Sequence, residues 1–534
     1  MKKRSSVSSQ APANEPVDAQ ATHTETTNTS KPVSSRRKFL GRVGAATIAA
    51  GVASQTALAQ FPAPGGSKQP VCNDPAFPFG VEPADKAANR YMKSYKCRLE
   101  AAKLAQSRPL VYHVTNGDDD GYPNKIGSYT KGFPHNQLGE VDLVAYNSLV
   151  SARTSRVPAD FEKITLGLGR PQTSPQAGLA MDLEGPDSHH VTLPPAPRFA
   201  SAETAGEMVE LYWMALARDV NFNDYDTSPI IAAAADELSR LSDFRGPKQG
   251  GRVTPQTIFR STFPGDTEGP HMSQFLLQDF YFGANLFSQK IKTSAPGVDY
   301  MTSYADWLNI QNGGAPVAYQ YDPTPRYQRN LRDLAEWVHV DALYQAYLLA
   351  DSKTQLPFAQ CGGPHILSLV TEVATRALKA VWYQKWFVQH RLRPEAYGGR
   401  VHNHLTGAAQ YPLHSDVLNS LAVQETFRKY GTYLLPQAFP EGSPTHSAYA
   451  SGHATVAGAC VTILKAFFDD TVAVKNPVVP NADGTALVPY EGPPLTVRGE
   501  LNKVARNVGK GRNGAGVHWR TDIIEGMKLG EQVA

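Results

Sequence analysis

Cysteine is scarce. Cys72, Cys97, Cys361 and Cys460 are the only four in 534 residues, too few and too scattered for a disulfide scaffold and without a CxxC pair for zinc. No run of about 20 apolar residues occurs, so nothing spans a bilayer permanently. An excess of one charge is missing too. Lys and Arg total 52 against 49 Asp and Glu, leaving +3, far from the concentrated basic face of a nucleic-acid binder. What remains is the composition of a globular protein, 41% hydrophobic and 19% charged, with length for a large core.

Residues 1–34 are polar, rich in Ser, Thr, Ala and Pro, and have no apolar period, the pattern of an unstructured segment. Then come Ser35-Arg36-Arg37-Lys38-Phe39-Leu40, a weakly apolar run over 44–53, and the small-residue site Ala57-Leu58-Ala59. A basic start, a short apolar segment and an A-x-A end make a secretory signal. The paired arginines followed by Phe-Leu resemble the twin-arginine type. Residues 1–59 are therefore expected to be removed, and the rest exported to the periplasm or secreted. In that compartment Cys72 could oxidise with Cys97, a pairing the sequence leaves open.

Residues 60–109 form an arm, Pro- and Gly-rich to about residue 90, and a helical domain is expected over 110–534. Core-facing periods of three and four run over 202–220, 333–350, 366–389 and 456–468. A short strand signal covers 110–114, and Pro/Gly punctuation over 472–497 predicts a long loop. The fold class is mainly α, helical bundles with long loops and little β. Asn116-Gly117-Asp118-Asp119-Asp120-Gly121 begins like a calcium loop, but Gly127 stands where the bidentate Glu belongs, so it reads as a turn. Asp341 falls on the apolar stripe of 333–350 and must be paired there, either in a core salt bridge or holding a site arginine.

Three blocks carry chemistry. The first is Lys385-Trp386-Phe387-Val388-Gln389-His390-Arg391-Leu392-Arg393-Pro394. If it is one helix ended by the proline, its Lys385 and Arg393 emerge within about 80° of each other. Alone, they read equally well as a solvated helix end. The second is His446-Ser447-Ala448-Tyr449-Ala450-Ser451-Gly452-His453. Ser451 is a plausible N-cap and Gly452 permits close approach of a ligand, which suits either an anion site or a plain capped helix. In the third, Arg512 precedes His518, and Asp522 follows four residues later, so that His518 and Asp522 would stack on one helical face.

Taken in order, Lys-x7-Arg-Pro, Ser-Gly-His and Arg-x5-His-x3-Asp resemble the signature of the vanadium-dependent haloperoxidases, shared with acid phosphatases of the phosphatidic acid phosphatase type. The Lys385–Arg393 gap and His446 resemble the algal and bacterial bromoperoxidase branch, as do Lys131-Gly132-Phe133-Pro134-His135-Asn136, Glu210-Leu211-Tyr212-Trp213 and Gly265-Asp266-Thr267-Glu268-Gly269-Pro270. The resemblance implies two four-helix bundles, a homo-oligomer, and one vanadate held by Lys385, Arg393, Ser451, Gly452 and Arg512, with His518 as the metal ligand. It further implies His453 as acid and base, Asp522 beside the ligand histidine, and His446 tuning halide or peroxide. Trp386 would line the entrance, and Trp382 is a candidate for influencing halide choice. Hydrogen peroxide would then oxidise bromide or iodide, and the hypohalous acid would halogenate a small organic nucleophile. The chemistry survives without the family. Three cations, a hydroxyl and a free N–H suit a tetrahedral oxyanion, each charge-assisted bond contributing about 1.5–3 kcal/mol. Two rivals use the same cage: a phosphomonoesterase with His518 as nucleophile, and an oxyanion binder without catalysis. Relatives usually continue beyond Ala534, so a truncated last helix is expected.

Overall fold

The computed structural model describes residues 87–534 apart from 168, 183–186, 278–362 and 469, and the chain divides into two units, residues 1–106 and 107–534. Helix α1 (Ala87–Ser107) closes the first unit. Its sequence holds neither Pro nor Gly and is rich in Ala and Lys, so the last part of the expected arm has the composition of a helix. Cys97 on this helix is disulfide-bonded; Cys72 lies outside the described residues.

In the second unit most helices begin on a side-chain cap. Asp142 caps α2 (Leu143–Ser155) through Ala145 N. Ser201 caps α3 (Ala202–Leu216) through Thr204 N, and Ser228 caps α4 (Pro229–Arg240), whose proline sits in the first turn. Each such oxygen satisfies an N–H that the helix leaves unpaired. Helix α5 (Gly363–Tyr383) runs into a π-helical turn, Gln384–Val388, where Gln389 N reaches back to Gln384 O at 2.6 Å. There follow α6 (Pro394–Leu405), α7 (Leu421–Tyr430), α8 (Gly452–Phe467), α9 (Val497–Gly514) and α10 (Arg520–Val533). Between α8 and α9 lies a small antiparallel pair, β1 (Val478–Pro480) with β2 (Leu487–Pro489), in register at Val479 and Val488.

Two packed regions position the site. Helix α8 packs against α5, α9 and α10, burying Ile366, Val370, Ala454, Val461, Leu501, Ala505, Ile523 and Met527. Helix α3 packs against α4 and α7, with Met208, Leu211, Tyr212, Ile231, Leu238 and Val423 in its core. Every residue of α3 from Thr204 onward is buried. A helix enclosed on all sides has no solvated face for acids, so Glu207 and Glu210 must find cationic partners inside.

The fold is mainly α, as expected, with several local differences. No strand forms at 110–114, where Leu110 and Tyr112 are exposed without a pairing partner. The helix at 202 stops at Leu216, four residues short of the expected 220. The loop over 472–497 carries the small β pair. Residues 118–121 form one helical turn, close to the expected turn. The expected helix over 333–350, with Asp341, lies outside the described residues. No helix among the described residues is long and apolar enough to cross a membrane.

Helices α8 and α10 approach through glycine. A Cβ on Gly458 would lie 2.4 Å from Met527 O, and one on Gly530 2.1 Å from Thr455 O. Both obstacles are backbone and cannot rotate aside. Gly458→Val should therefore destabilise the protein by about 3 kcal/mol or more, seen as a lower denaturant midpoint; an unchanged midpoint would refute this account of the interface.

Candidate functional site

The π-helical turn sets the first cation. It carries Lys385 into the interior, fully buried, where Nζ donates to Ser447 O at 2.8 Å and Ala448 O at 3.0 Å. The ammonium has a third hydrogen to give. Arg393 arrives differently from expectation. Residues 389–393 leave the helix, Arg393 is extended (φ −80°, ψ 152°), and Pro394 starts α6 rather than ending a helix. Proline fits that position because the N–H it lacks would be unpaired in a first turn. The single helix read from Lys385 to Arg393 is thus corrected to a π turn, a short extended link and a new helix.

Arg393 links the other two blocks. Its Nε donates to His446 O at 2.9 Å, its Nη1 to Val517 O at 2.7 Å and to His518 Nε2 at 3.0 Å, and its Nη2 to His446 Nδ1 at 2.9 Å. Ser451 caps α8 by accepting from Ala454 N at 3.4 Å, and its own N–H donates to Asp522 O at 2.8 Å. Gly452 opens the helix, and a Cβ there would lie 2.9 Å from the Trp382 ring. His453, next in α8, opens to solvent. Arg512 comes from the end of α9, with a buried Nε that has no hydrogen-bond partner and its guanidinium 5.1 Å from the Phe439 ring centroid.

His518 lies before α10, not on it. Asp522, in the first turn of α10, folds back so that Oδ2 accepts from His518 Nδ1 at 2.8 Å and from Trp519 N at 2.9 Å. The expected stacking on one helical face is corrected to a helix-start contact. With Nδ1–H given to the carboxylate, Nε2 keeps its lone pair toward Arg393.

Electrostatically the site is a concentration of positive charge. Buried Arg391, Arg506, Arg520 and Lys510 are each bonded to a carboxylate: Arg391 to Glu207 and Asp522, Arg506 to Asp266, Arg520 and Lys510 to Glu210. No described carboxylate lies within 4 Å of the charged nitrogens of Lys385, Arg393 or Arg512. Burial and the neighbouring Arg393 accordingly hold the Lys385 ammonium well below its ordinary pKa. Burial lowers Arg393 to about 10, and burial with Arg393 lowers Arg512 to about 10. Burial, then Arg393, push His518 and His446 well down. Crowding by protein, then Arg512, Lys385 and Arg393, bring His453 to about 3. Because that ring opens to water, hydration offsets the crowding and the cationic field is the more durable cause.

The blocks thus bring together Lys385, Arg393, Ser451, Gly452, Arg512, His446, His453, His518 and Asp522. Trp386 does not line an entrance. It is fully buried, edge-on to Tyr129 at 5.8 Å in a cluster with Phe133 and Tyr146. The half-buried Trp382 stands over the cage instead, 4.9 Å from the His446 ring. Sequence reasoning missed Glu207 and Arg391. A usable signal existed: Glu203, Glu207 and Glu210 recur at i, i+4 and i+7 on an otherwise apolar helix.

The comparisons with known proteins follow this geometry. The family model of the VCPO second helical-bundle domain matches residues 367–534. The chain is similar to a vanadium-dependent bromoperoxidase of Corallina officinalis, 36% identical over 85% of this chain and 95% of that one. It is similar to another from Ascophyllum nodosum, 35% identical over 83% and 86%. The homohexameric structure of the second vanadate-dependent bromoperoxidase from Ascophyllum nodosum superposes with a TM-score of 0.70 at 30% identity, covering 90% of this chain and 89% of that one.

The depressed imidazoles make acid stability a test of the cage. His446, His453 and His518 stay neutral in the fold, whereas the unfolded chain protonates them below about pH 6.5. Stability should therefore fall as pH drops from about 6.5 to 5. Glu203, raised to about 7 by burial and by Glu207, opposes this with one proton against the three of the cage and that of His271, which burial and Arg260 also hold neutral. The denaturant midpoint of anion-free protein should decline across that window and decline less with saturating phosphate. A midpoint that rises toward pH 5 would contradict the assigned field.

Proposed function

The chain belongs to the vanadium-dependent bromoperoxidase family, and on that premise we propose that it binds one vanadate and uses hydrogen peroxide to oxidise bromide or iodide to hypohalous acid, which halogenates small organic nucleophiles. The observation that carries the reading is the set of three buried cations without carboxylate partners among the described residues, facing one imidazole lone pair. The donors fit the group. Arg512 Nε is a buried N–H without an acceptor, Lys385 retains a free hydrogen, and a side chain at Gly452 would meet the Trp382 ring that stands over the cage. Lys385, Arg393, Arg512, Ser451 and the Gly452 N–H would hold the vanadate oxygens, with His518 Nε2 as the ligand to the metal. Bound vanadate supplies a Lewis-acidic centre that makes peroxide susceptible to attack by halide.

The protein's own part is charge and protons. The cations withdraw electron density from whatever anion they grip. Halide oxidation consumes one proton for each hypohalous acid released, and His453, solvent-open and held neutral by the cations, can pass protons between water and the cage at Nε2 or Nδ1. Asp522 keeps the His518 proton on Nδ1. His446, bonded to Arg393, sets the direction of that guanidinium. A homo-oligomer is supported by the homohexameric Ascophyllum nodosum neighbour.

Adding vanadate to chelator-treated protein should restore bromination of a phenol dye by peroxide and bromide. His453→Ala should reduce that turnover by about 100-fold or more while still binding vanadate. Turnover of an aryl phosphate without vanadate-stimulated bromination would favour the phosphomonoesterase, and unchanged turnover in His453→Ala would remove its proton role.

Export is proposed on the paired Arg36-Arg37 and on Ala57-Leu58-Ala59, with the disulfide at Cys97 in keeping with an oxidising compartment. N-terminal sequencing of protein recovered from a periplasmic fraction should begin near Gln60, and Arg36→Lys with Arg37→Lys should block that processing. Processed protein from the double variant would count against the twin-arginine route.

A further inference from the structure

We propose that Arg391, clamped by Glu207, is a positioning residue for vanadate binding: it fixes the Asp522 carboxylate that orients the His518 ring. The proposal rests on reading the cage as a vanadate site. Arg391 touches none of the cage donors, and the family's three-block signature gives it no role.

The geometry starts at the ring. His518 precedes α10, so no helical register dictates its side-chain direction, and rotation about its second torsion is broad. A hydrogen bond at Nδ1 must choose which nitrogen faces the cage. Asp522 makes that choice, but a carboxylate is itself free to turn. Its two oxygens are used unequally. Oδ2 takes His518 Nδ1 and Trp519 N, whereas Oδ1 takes Arg391 Nη1 at 3.1 Å. Arg391 is therefore the donor that pins the second oxygen and stops the carboxylate rotating away from His518 Nδ1.

Arg391 is held in turn from several directions. Nη2 donates to Glu207 Oε2 at 2.7 Å, Nη1 also donates to Thr521 Oγ1 at 2.7 Å, and the guanidinium lies 4.5 Å from the Trp519 ring centroid. Glu207 grips both ends of this arrangement, because its Oε1 accepts from Thr521 N at 2.5 Å, the residue beside Asp522. All three charged side chains are almost fully buried, 4% exposed for Glu207, 2% for Arg391 and 0% for Asp522. A planar guanidinium can serve two carboxylates and a hydroxyl at once, which an ammonium cannot do in the same geometry. The line Glu207–Arg391–Asp522–His518 thus runs from the enclosed helix α3 to the proposed metal ligand.

The test uses the full chain, free of vanadate and labelled with ¹⁵N-histidine, at about pH 8, where the cage imidazoles are neutral. Wild type should show His518 as the single Nδ1–H tautomer. Arg391→Met should give mixed tautomers at His518 and weaken vanadate about 10- to 100-fold in equilibrium dialysis, the usual loss when a ligand's outer partner is removed. Arg391→Lys should recover part of both. Lys385→Ala should lose affinity while keeping the wild-type tautomer, which separates gripping the anion from aiming the ring. Should Arg391→Met not fold, Glu207→Gln carries the test, with a smaller change in the same two readouts. An unchanged His518 tautomer and unchanged vanadate affinity in the Arg391 or Glu207 variant would overturn the proposal. Wild type that binds no vanadate would instead overturn the reading of the cage, and the tautomer comparison would still judge Arg391 on its own.

Discussion

Three positive side chains sit inside this protein with no described carboxylate in salt-bridge contact with them, and much of the surrounding structure follows from that condition. Moving an ion out of water costs several kcal/mol even after the protein relaxes. Elsewhere the fold meets this demand with carboxylates, as at Arg506 with Asp266 and Arg520 with Glu210. Around the cage it offers neutral dipoles: Ser447 O and Ala448 O to Lys385, and His446 O, Val517 O and the rings of His446 and His518 to Arg393. Dipoles steady a cation without cancelling it. The remaining charge is available to an oxyanion of the right size, and an anion that binds the folded chain and not the unfolded one adds to its stability.

Such a site cannot be laid along one regular element. Lys385 leaves a π-helical turn, Arg393 precedes α6, Ser451 and Gly452 begin α8, Arg512 ends α9, and His518 falls in the link before α10. Ends of elements aim side chains and free N–H groups in directions that the regular 3.6-residue period forbids. The bundle behind them supplies rigidity. Where α8 and α10 meet through Gly458 and Gly530, backbones approach too closely for a side chain, so the two helix starts that carry Ser451 and Asp522 are fixed relative to each other.

This division explains what could be read in advance. The three blocks were legible because the chemistry confines residue types to fixed spacings, and the apolar periods located α3, α5 and α8 within a few residues. Ser451 as the cap of α8 followed from its hydroxyl before an apolar run. The geometry within the blocks was not legible. A proline after Arg393 can end one helix or begin another, and only the packing of 389–393 decides. Likewise a His and an Asp four apart suit one helical face or a residue before a helix paired with its first turn. Trp386 was expected at the entrance, but the π turn shifts the register after Tyr383 and carries it into the core, whereas Trp382, the candidate for halide choice, stands beside His446. Glu207 and Arg391 lie 184 residues apart, and no spacing rule joins them.

The imidazole of His518 divides two electrostatic territories. Behind Nδ1 stand Asp522, Glu207 and Arg391, a net negative set with two carboxylates to one guanidinium. Ahead of Nε2 stand Lys385, Arg393 and Arg512, with no described carboxylate in contact with them. A ring placed across that boundary is polarised: the negative side at Nδ1–H pushes electron density toward Nε2, and the positive side draws an anion to it. For an anion held by charge alone the carboxylate side would be a disadvantage, because it subtracts from the attraction. It becomes useful only if the imidazole itself must donate its lone pair to an electrophilic centre within the anion. The same asymmetry serves a metal oxide and a phosphoryl group, so the boundary argues for a bond at Nε2 rather than for mere capture. What distinguishes the two chemistries is then the group that enters the cage, not the ring that meets it.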